Sequence, residues 1–195
     1  MMTIDPSRLR LKTGDKVLDL GCGEGRHSIG IALATLEQQD ITVLGVDLSI
    51  DDLQRARQQG ESFEDATLDC QWACANGLQL PFADNSFNKI ICSEVLEHIP
   101  DYKAMLNEIE RVLTNDGLLA VSVPRRWPEK ICWWLSEAYH KVEGGHIRIF
   151  KARELQGEIS AFGFRNYARH WAHALHAPFW WLKCLFWNTQ DSNPL

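Results

Sequence analysis

The sequence contains no C-x-x-C pair and no apolar run near the roughly 20 residues that a membrane-spanning helix needs. Its first 16 residues lack the apolar core of a secretory signal, so we expect none. We predict six reduced, mostly buried cysteines in a cytoplasmic protein. Basic residues are scarce, with 20 Lys and Arg against 26 Asp and Glu and a formal net charge of −6. Because positive charge dominates affinity for DNA and RNA backbones, we expect no nucleic-acid partner.

The charge is unevenly distributed along the 195 residues. Between Arg125 and Arg153, seven basic side chains stand against three acidic ones, which gives this segment +4 and leaves the remainder at −10. Two interpretations are open: a solvated basic face, or a rim that attracts an anionic substrate. The length and the 45% hydrophobic content suit one domain with a substantial core, so we predict a single domain over residues 1–195.

The most informative segment is VLDLGCGEG, residues 17–25. An apolar strand that carries Asp19 leads into a loop with glycine at every second position, and Arg26-His27-Ser28 then begins a helix. Glycines lack a Cβ where the backbone turns sharply, and they let a ligand approach main-chain N–H groups. The spacing is G-x-G-x-G rather than the dinucleotide pattern G-x-G-x-x-G, and the loop alone does not identify the cofactor.

Strand and helix patterns alternate along the chain, which predicts an α/β fold with a doubly wound, mostly parallel, Rossmann-like sheet. The predicted strands are Lys16–Leu20, Ile41–Val46, Thr67–Ala75, Lys89–Cys92, Leu118–Val123 and Phe164–Trp171. The predicted helices are Arg26–Gln38, with Ile29, Leu33 and Leu36 on one stripe, Ser49 to near Gly60, Pro100–Leu113, Pro128–Val142 and Lys151–Ala161. Asn115-Asp116-Gly117 is a turn signal.

Ligands of such sheets bind at the carboxyl ends of the strands, so the residues that follow each strand are candidates. Asp47 follows the second strand, where a carboxylate can accept both hydroxyls of a ribose. The alternative role for Asp47 is to cap the next helix. Ser49, in the S-x-x-D pattern Ser49–Asp52, fits that role better.

Four segments together resemble the class I S-adenosylmethionine-dependent methyltransferases, above all the small enzymes of ubiquinone and menaquinone biosynthesis. They are the glycine loop with Asp19, Asp47, and the two parts of ANGLQLPFADNSFNKIICSEVLEHIPD, residues 75–101. The resemblance covers about residues 14–123. It implies a cofactor-binding core over residues 14–123, followed by substrate-side helices and a C-terminal segment over residues 124–195.

The resemblance implies S-adenosylmethionine as cofactor and a role for each matching residue. Asp19 and the loop residues Gly21, Cys22, Gly23 and Gly25 would hold its amino acid moiety and sugar, and Asp47 its ribose. Leu48 and Ser49 would border the adenine, Asn76-Gly77 would reach its exocyclic amine, and the main chain of Ser93 would lie near the sulfonium. Many relatives carry aspartate at position 76; an amide oxygen accepts from the same donor through a weaker, neutral hydrogen bond.

Methyl transfer to a phenol, an amine or an acidic carbon is helped by a general base, and histidine suits this role at neutral pH. His98 is the first candidate and His146 the second; the alternative is that His98 only packs and makes a structural hydrogen bond. Glu94, Glu97 and His98 would share one face of a helical turn. Some quinone-pathway relatives bind a divalent metal with this E-x-x-E-H pattern, whereas many others need none, and we predict no metal.

The C-terminal third is rich in aromatic residues: seven of the eight tryptophans lie from Trp127 onward. They would form core packing, or else a wall for a lipid-like or aromatic acceptor with peripheral membrane contact. The methyltransferase fold normally ends with an antiparallel seventh strand, and none can be placed after Trp187. Either the final β-hairpin is abbreviated or this polypeptide is shorter than its relatives. A missing hairpin would favour a homodimer.

The sequence therefore predicts S-adenosylmethionine-dependent methyl transfer to a small or lipid-like acceptor. Two alternatives stay open at this point: an NAD-dependent oxidoreductase, which the loop spacing disfavours, and a non-catalytic S-adenosylmethionine-binding module. The acceptor, and whether its O, N, C or S atom is methylated, do not follow from the residues.

Overall fold

The structure is a computed structural model that describes residues 2–37, 40–63, 68–136, 145–172, 181–182 and 184. The chain divides into two compact units. The first comprises Met1–Val95 and Asp101–Ser122, and the second comprises Leu96–Pro100 and Val123–Leu195. The change of unit after Ser122 lies next to the division predicted at residue 123, but the membership of Leu96–Pro100 in the second unit was not anticipated. The assignment of the whole chain to one domain stays a prediction.

The first unit is built on a five-stranded sheet in the order β3-β2-β1-β4-β5, and all neighbouring strands are parallel. The strands are β1 (Lys16–Leu20), β2 (Thr42–Asp47), β3 (Cys70–Cys74), β4 (Phe87–Ser93) and β5 (Leu113–Ser122). The central strands β1 and β4 are almost continuously buried, because both of their faces are covered. The predicted doubly wound α/β fold is confirmed.

Five α-helices whose bounds both lie among the described residues accompany these strands. They are α1 (Arg26–Ala34), α2 (Ile50–Glu61), α3 (Tyr102–Val112), α4 (Arg126–Leu135) and α5 (Ala152–Ala161), and a short 3-10 helix spans Pro6–Leu9. The Asp101 carboxylate accepts the Ala104 N–H at 3.0 Å and caps α3. As predicted, Leu106, Ile109 and Val112 are fully buried. No helix within the described ranges is long and apolar enough to cross a bilayer.

Helix α1 is shorter than predicted because Thr35 ends it. The Thr35 hydroxyl donates to the Ile31 carbonyl at 2.9 Å, and its N–H donates to the Ala32 carbonyl. This side-chain bond competes with continuation of the helix. Leu36, which the longer helix would have placed on the buried stripe, is therefore exposed.

The predicted turn at Asn115–Gly117 lies inside β5 and does not precede it. Pairing with β4 jumps from Leu113 opposite Phe87 to Leu118 opposite Lys89, so the intervening residues bulge out of the ladder. The predicted turn before the strand is therefore wrong, since the strand begins at Leu113, before the bulge.

The sixth strand predicted over Phe164–Trp171 is wrong, because this segment has irregular backbone. The second half of the predicted helix Pro128–Val142 falls largely on residues 137–144, outside the described residues. The same holds for the chain from residue 185 onward, where an abbreviated final hairpin was expected.

Candidate cofactor site and acid–base residues

The glycine loop connects β1 to α1 and is bonded to the end of β2. The N–H groups of Gly21 and Cys22 donate to the Val46 carbonyl at 2.8 and 3.1 Å. Gly21 has φ +72°, and a Cβ there would lie 2.4 Å from a Val95 methyl. Gly23 has φ +50°, and a Cβ there would meet no atom within 4 Å. The loop is thus closed by packing at Gly21 and presents bare main chain to open space at Gly23.

The Asp47 carboxylate, at the end of β2, reaches back to this loop. Its Oδ2 accepts the Gly23 N–H at 2.8 Å, and its Oδ1 accepts the Ser49 N–H at 2.9 Å. Each carboxylate oxygen has acceptor capacity beyond one such bond. Asp47 is therefore held in one orientation and keeps the capacity to accept ligand hydroxyls.

Ser49 caps α2, as predicted. Its Oγ accepts the Asp52 N–H at 3.2 Å, which leaves Asp47 available for another role. In a complete capping box the Asp52 side chain would accept the Ser49 N–H. Here Asp47 accepts that N–H instead. Leu48 and Ile50, on either side of Ser49, expose 64% and 59% of their surface and form an apolar border next to the carboxylate.

Asp19 is buried beneath the loop, with 1% exposure. Its Oδ2 accepts both the N–H and the Oγ–H of Ser28, at 2.9 and 2.6 Å, so it stabilises the first turn of α1. Burial raises the pKa of Asp19 to about 6, and the hydrogen bonds from Ser28 oppose that rise. Its geometry favours an indirect role toward a ligand, through the position of the loop and α1.

Asn76 and Gly77 follow β3 at the same edge of the sheet. The Asn76 side-chain oxygen accepts the Leu78 N–H at 2.9 Å, which forms a local turn and leaves a second lone pair for a ligand donor. Gly77 is buried, and a Cβ there would lie 2.6 Å from the Met105 methyl.

Ser93, at the end of β4, belongs to a hydroxyl cluster that was not predicted. Its Oγ lies 2.6 Å from Thr3 Oγ1 and 2.9 Å from Ser122 Oγ. The Thr3 N–H also donates to His27 Nε2 at 3.0 Å, so an N-terminal segment extends across α1 to the end of the sheet. A contact between residues 90 positions apart carries no local sequence signal.

Trp72 supports the glycine loop from β3 and was also missed. A Cβ at Gly25 or at Gly45 would come within 2.5 Å of its ring. Trp72 is the single tryptophan that precedes Trp127 in the sequence, and this isolated position could have marked it as a residue of the site. Cys22 is buried beside the same region, and burial raises the pKa of its thiol well above the ordinary range, so it packs as a neutral side chain.

The predicted cofactor residues lie in the first unit, at the carboxyl ends of β1 to β4. An adenosyl ligand fits three observed features: open main chain at Gly23, an oriented carboxylate at Asp47, and exposed apolar surface at Leu48 and Ile50. The residues present therefore fit S-adenosylmethionine, and the individual roles stay predictions.

The two predicted bases lie together in the second unit. The rings of His98 and His146 are edge to face, with centroids 4.8 Å apart. His98 Nδ1 lies 3.3 Å from the Gly145 carbonyl oxygen, and the Ile147 N–H donates to the Glu97 carbonyl at 3.0 Å. These contacts join the turn after β4 to the segment around residue 146.

The predicted one-face arrangement of Glu94, Glu97 and His98 is wrong, because the backbone there is not a helical turn. Glu94 has φ +57° and belongs to the first unit, where its Oε1 accepts the Ser122 hydroxyl at 3.0 Å. Glu97 and His98 instead share the second unit with His146, and each of these three offers a ligand atom within 4.8 Å of the others.

Glu129, on α4, contacts the second base and was not predicted. Its Oε1 lies 2.5 Å from His146 Nδ1 and accepts the Trp133 Nε1–H at 3.1 Å. The side chains of Glu129 and His146 are 7% and 11% exposed.

Residues 11–176 match a family described as a methyltransferase domain. The chain belongs to this family. The resemblance identified from the sequence is thereby confirmed, the predicted cofactor S-adenosylmethionine is that of the family, and the oxidoreductase alternative loses its basis.

The chain is similar to methyltransferase GfsG of Streptomyces halstedii, with 36% identity over 117 residues, 59% of this chain and 40% of that protein. It is also similar to demethylmenaquinone methyltransferase of Corynebacterium urealyticum, with 34% identity over 115 residues. The aligned residues are 59% of this chain and 44% of that protein. The chain thus spans less than half the length of either methyltransferase. A solved S-adenosylmethionine-dependent methyltransferase from Aquifex aeolicus has the same fold, with TM-score 0.64, 17% identity, and 83% and 80% of the two chains covered.

Proposed function

We propose that the chain is an S-adenosylmethionine-dependent methyltransferase acting on a small or lipid-like molecule. The observation that carries the proposal is the Asp47 carboxylate, oriented by the Gly23 and Ser49 N–H groups next to open main chain. When bound, the cofactor supplies a methyl group already activated by a positively charged sulfur. The chain's own task is then to bind, to orient the acceptor and to exclude water.

Each proposed binding residue has a role consistent with its contacts. Asp47 accepts the ribose hydroxyls, Leu48 and Ser49 border the adenine, and Asn76 accepts its amine through the second lone pair of the amide oxygen. The loop backbone faces the amino acid moiety and sugar at Gly23, while Asp19 acts from beneath through Ser28. In the second unit, His98 and His146 are the proposed bases.

The names of the similar proteins support a small-molecule acceptor. One relative acts on demethylmenaquinone, a quinone, according to its name. The fold hosts many acceptors, so the acceptor class of this chain rests on the surface of its second unit.

That surface combines exposed tryptophan with basic residues. On α4, Trp127 and Trp134 are exposed on the same side as Lys130, and Trp134 is 84% exposed. The guanidinium groups of Arg125 and Arg169 lie 4.4 and 4.2 Å from the Trp171 ring. We call Trp127, Lys130 and Trp134 the α4 face. Exposed indoles with basic neighbours suit an anionic, lipid-rich partner, so we propose peripheral membrane contact or an anionic acceptor here.

Cytoplasmic location and homodimer formation are also part of the proposal. No disulfide joins any of the six cysteines, all of which lie among the described residues. Four of them are buried, as predicted for reduced thiols.

Two measurements test the proposed function. Calorimetry should show binding of S-adenosylhomocysteine and none of NADH; the reverse result overturns the proposal. Turnover should then appear as release of S-adenosylhomocysteine with one member of a panel of phenolic, quinol, amine and fatty acceptors. Binding without any turnover across the panel would support the non-catalytic module instead.

A further inference from the structure

The carboxylate of Glu129 is buried in the second unit and directed at an imidazole. Its Oε1 lies 2.5 Å from His146 Nδ1, although the two residues are 17 positions apart and on different segments. A carboxylate removed from water is unfavourable unless it is compensated by hydrogen bonds or charge. The contact with His146 is therefore a strong constraint on both side chains.

The contacts of Glu129 decide which ring nitrogen carries the proton. An indole N–H can only donate, so the Trp133 Nε1–H at 3.1 Å holds Oε1 as an acceptor. An ionised carboxylate has no hydrogen to donate, so His146 Nδ1 is the donor in its contact with the same oxygen. In a neutral ring the proton sits on Nδ1 and the lone pair on Nε2, which makes Nε2 the proton-accepting atom.

His98 has the same tautomer for a weaker reason. Its Nδ1 lies 3.3 Å from the Gly145 carbonyl oxygen, which can only accept. A neutral carbonyl stabilises a positively charged ring less than a carboxylate does. Of the two neighbouring imidazoles, His146 is thus the one whose Nδ1 contacts a carboxylate.

We propose that Glu129 is a positioning residue that fixes the tautomer of His146 and makes Nε2 of His146 the general base. The base role rests on the proposed function. Nε2 takes the proton from the acceptor's O–H or N–H group while the bonding electron pair stays on the acceptor atom. The resulting imidazolium is stabilised by Glu129, and its proton passes to solvent after the methyl group has been transferred.

The first experiment reads the tautomer directly, in the whole 195-residue chain. Nitrogen-15 NMR of the imidazole rings is recorded at a pH where they are neutral, and the His146 signals are assigned by their loss in His146→Gln. The wild type should show Nδ1 protonated and Nε2 unprotonated. Glu129→Gln can donate its amide N–H to Nδ1 and should shift the ring toward the opposite tautomer, whereas Glu129→Asp should retain the wild-type pattern in part.

The second experiment measures steady-state kinetics with the acceptor found in the panel. Glu129→Gln should lower kcat by about 100-fold or more with little change in KM, because base catalysis contributes about 10²- to 10⁴-fold. Glu129→Asp should restore part of the loss. Glu154→Gln is the matched control, since Glu154 is exposed on α5 and pairs with Lys151; its kcat should equal that of the wild type.

The outcomes separate the two claims. A wild-type His146 protonated at Nε2, or an unchanged tautomer in Glu129→Gln, overturns the positioning role, and the wild-type spectrum decides this even if the variant does not fold. Full kcat in Glu129→Gln overturns it as well. Failure of the wild type to turn over any acceptor removes the base role together with the proposed function, and the spectra still decide the positioning of His146.

Discussion

Asp47 accepts a hydrogen bond from the Gly23 N–H at 2.8 Å, so the carboxylate at the end of β2 holds the glycine loop that follows β1. A second bond, from the Ser49 N–H at 2.9 Å, fixes its other oxygen. The same carboxylate that would bind a ribose therefore also shapes the loop. We therefore expect a substitution of Asp47 to change both the loop and the binding of a ribose.

Asp47→Asn should weaken S-adenosylhomocysteine binding by about 10- to 100-fold, which is the range for loss of a charged hydrogen bond. The amide nitrogen would also point an N–H at one of the two backbone donors. Calorimetry gives the Kd. Asp51→Asn, exposed in the first turn of α2, is the control and should bind as the wild type does. Equal Kd values for the two variants would exclude the proposed ribose site.

Asp19 should make stability depend on pH. Burial raises its pKa from 3.8 to about 6, so between these values the folded protein binds a proton that the unfolded chain has released. The free energy of unfolding therefore falls as pH rises through this window. It stays lower by up to ~3 kcal/mol above pH 6.

Asp19→Asn lacks this titration and keeps an oxygen that can accept from Ser28. The free energy of unfolding, measured in urea, should fall less in this variant than in the wild type between pH 4 and pH 7. The difference between the two proteins should therefore grow in favour of the variant. Asp116→Asn, exposed in the β5 bulge, should follow the wild type at both pH values. Parallel pH profiles for the wild type and Asp19→Asn would show that Asp19 does not titrate in this window.

Gly45→Ala should destabilise the first unit, because the new Cβ would lie 2.5 Å from the Trp72 ring. Overpacking of this kind costs about 1–3 kcal/mol. Gly60→Ala is the control: its Cβ meets the same ring at an ordinary 4.0 Å inside α2, and alanine favours the helix. Urea unfolding compares the two, and the cost of Gly45→Ala should shrink in a Trp72→Leu background. A cost that Trp72→Leu leaves unchanged would refute the contact.

Removal of metal should leave the protein unaffected. Glu97, His98 and His146 offer ligand atoms within 4.8 Å of one another, yet Nδ1 of both histidines is accounted for by Gly145 and Glu129 without an ion. Dialysis against EDTA should change neither the Tm nor the release of S-adenosylhomocysteine. Stoichiometric zinc in the purified protein, lost in His146→Ala, would contradict the prediction that no metal binds.

Trp134→Ala should reduce co-sedimentation with vesicles that contain phosphatidylglycerol. Burial of one exposed indole in the interface supports about a tenfold change in partitioning. Lys130→Glu should weaken binding to these vesicles and leave binding to pure phosphatidylcholine unchanged, since each basic residue contributes ~1 kcal/mol near an anionic surface. Leu36→Ala, exposed on the first unit, is the control. If all three variants bound these vesicles as the wild type does, the α4 face would not be a membrane contact.

Local patterns predicted much of the first unit. The Ser49 cap, the buried face of α3 and the glycine loop follow from residues within a few positions of one another. Errors arose where a local signal competed with a non-local one. Asn115–Gly117 has turn chemistry, but pairing with β4 on both sides keeps it within β5.

The candidate site divides in the same way. The position of Asp47 could be predicted, because strand alternation places it at the carboxyl edge of the sheet. Glu129 could not, because no short-range pattern relates it to His146. The expected helical face for Glu94, Glu97 and His98 failed because spacing alone does not show whether a turn is helical.

The order of residues alone determined the alternation of strands and helices, the parallel sheet and the loop that marks the family, since these depend on hydrophobic period and backbone preference. Only the tertiary structure decided that Trp72 lies against Gly45, that Thr3 contacts Ser93, and that Glu129 contacts His146. Such contacts join residues far apart in the chain, and they form only when packing of the whole unit offsets the entropy of bringing them together.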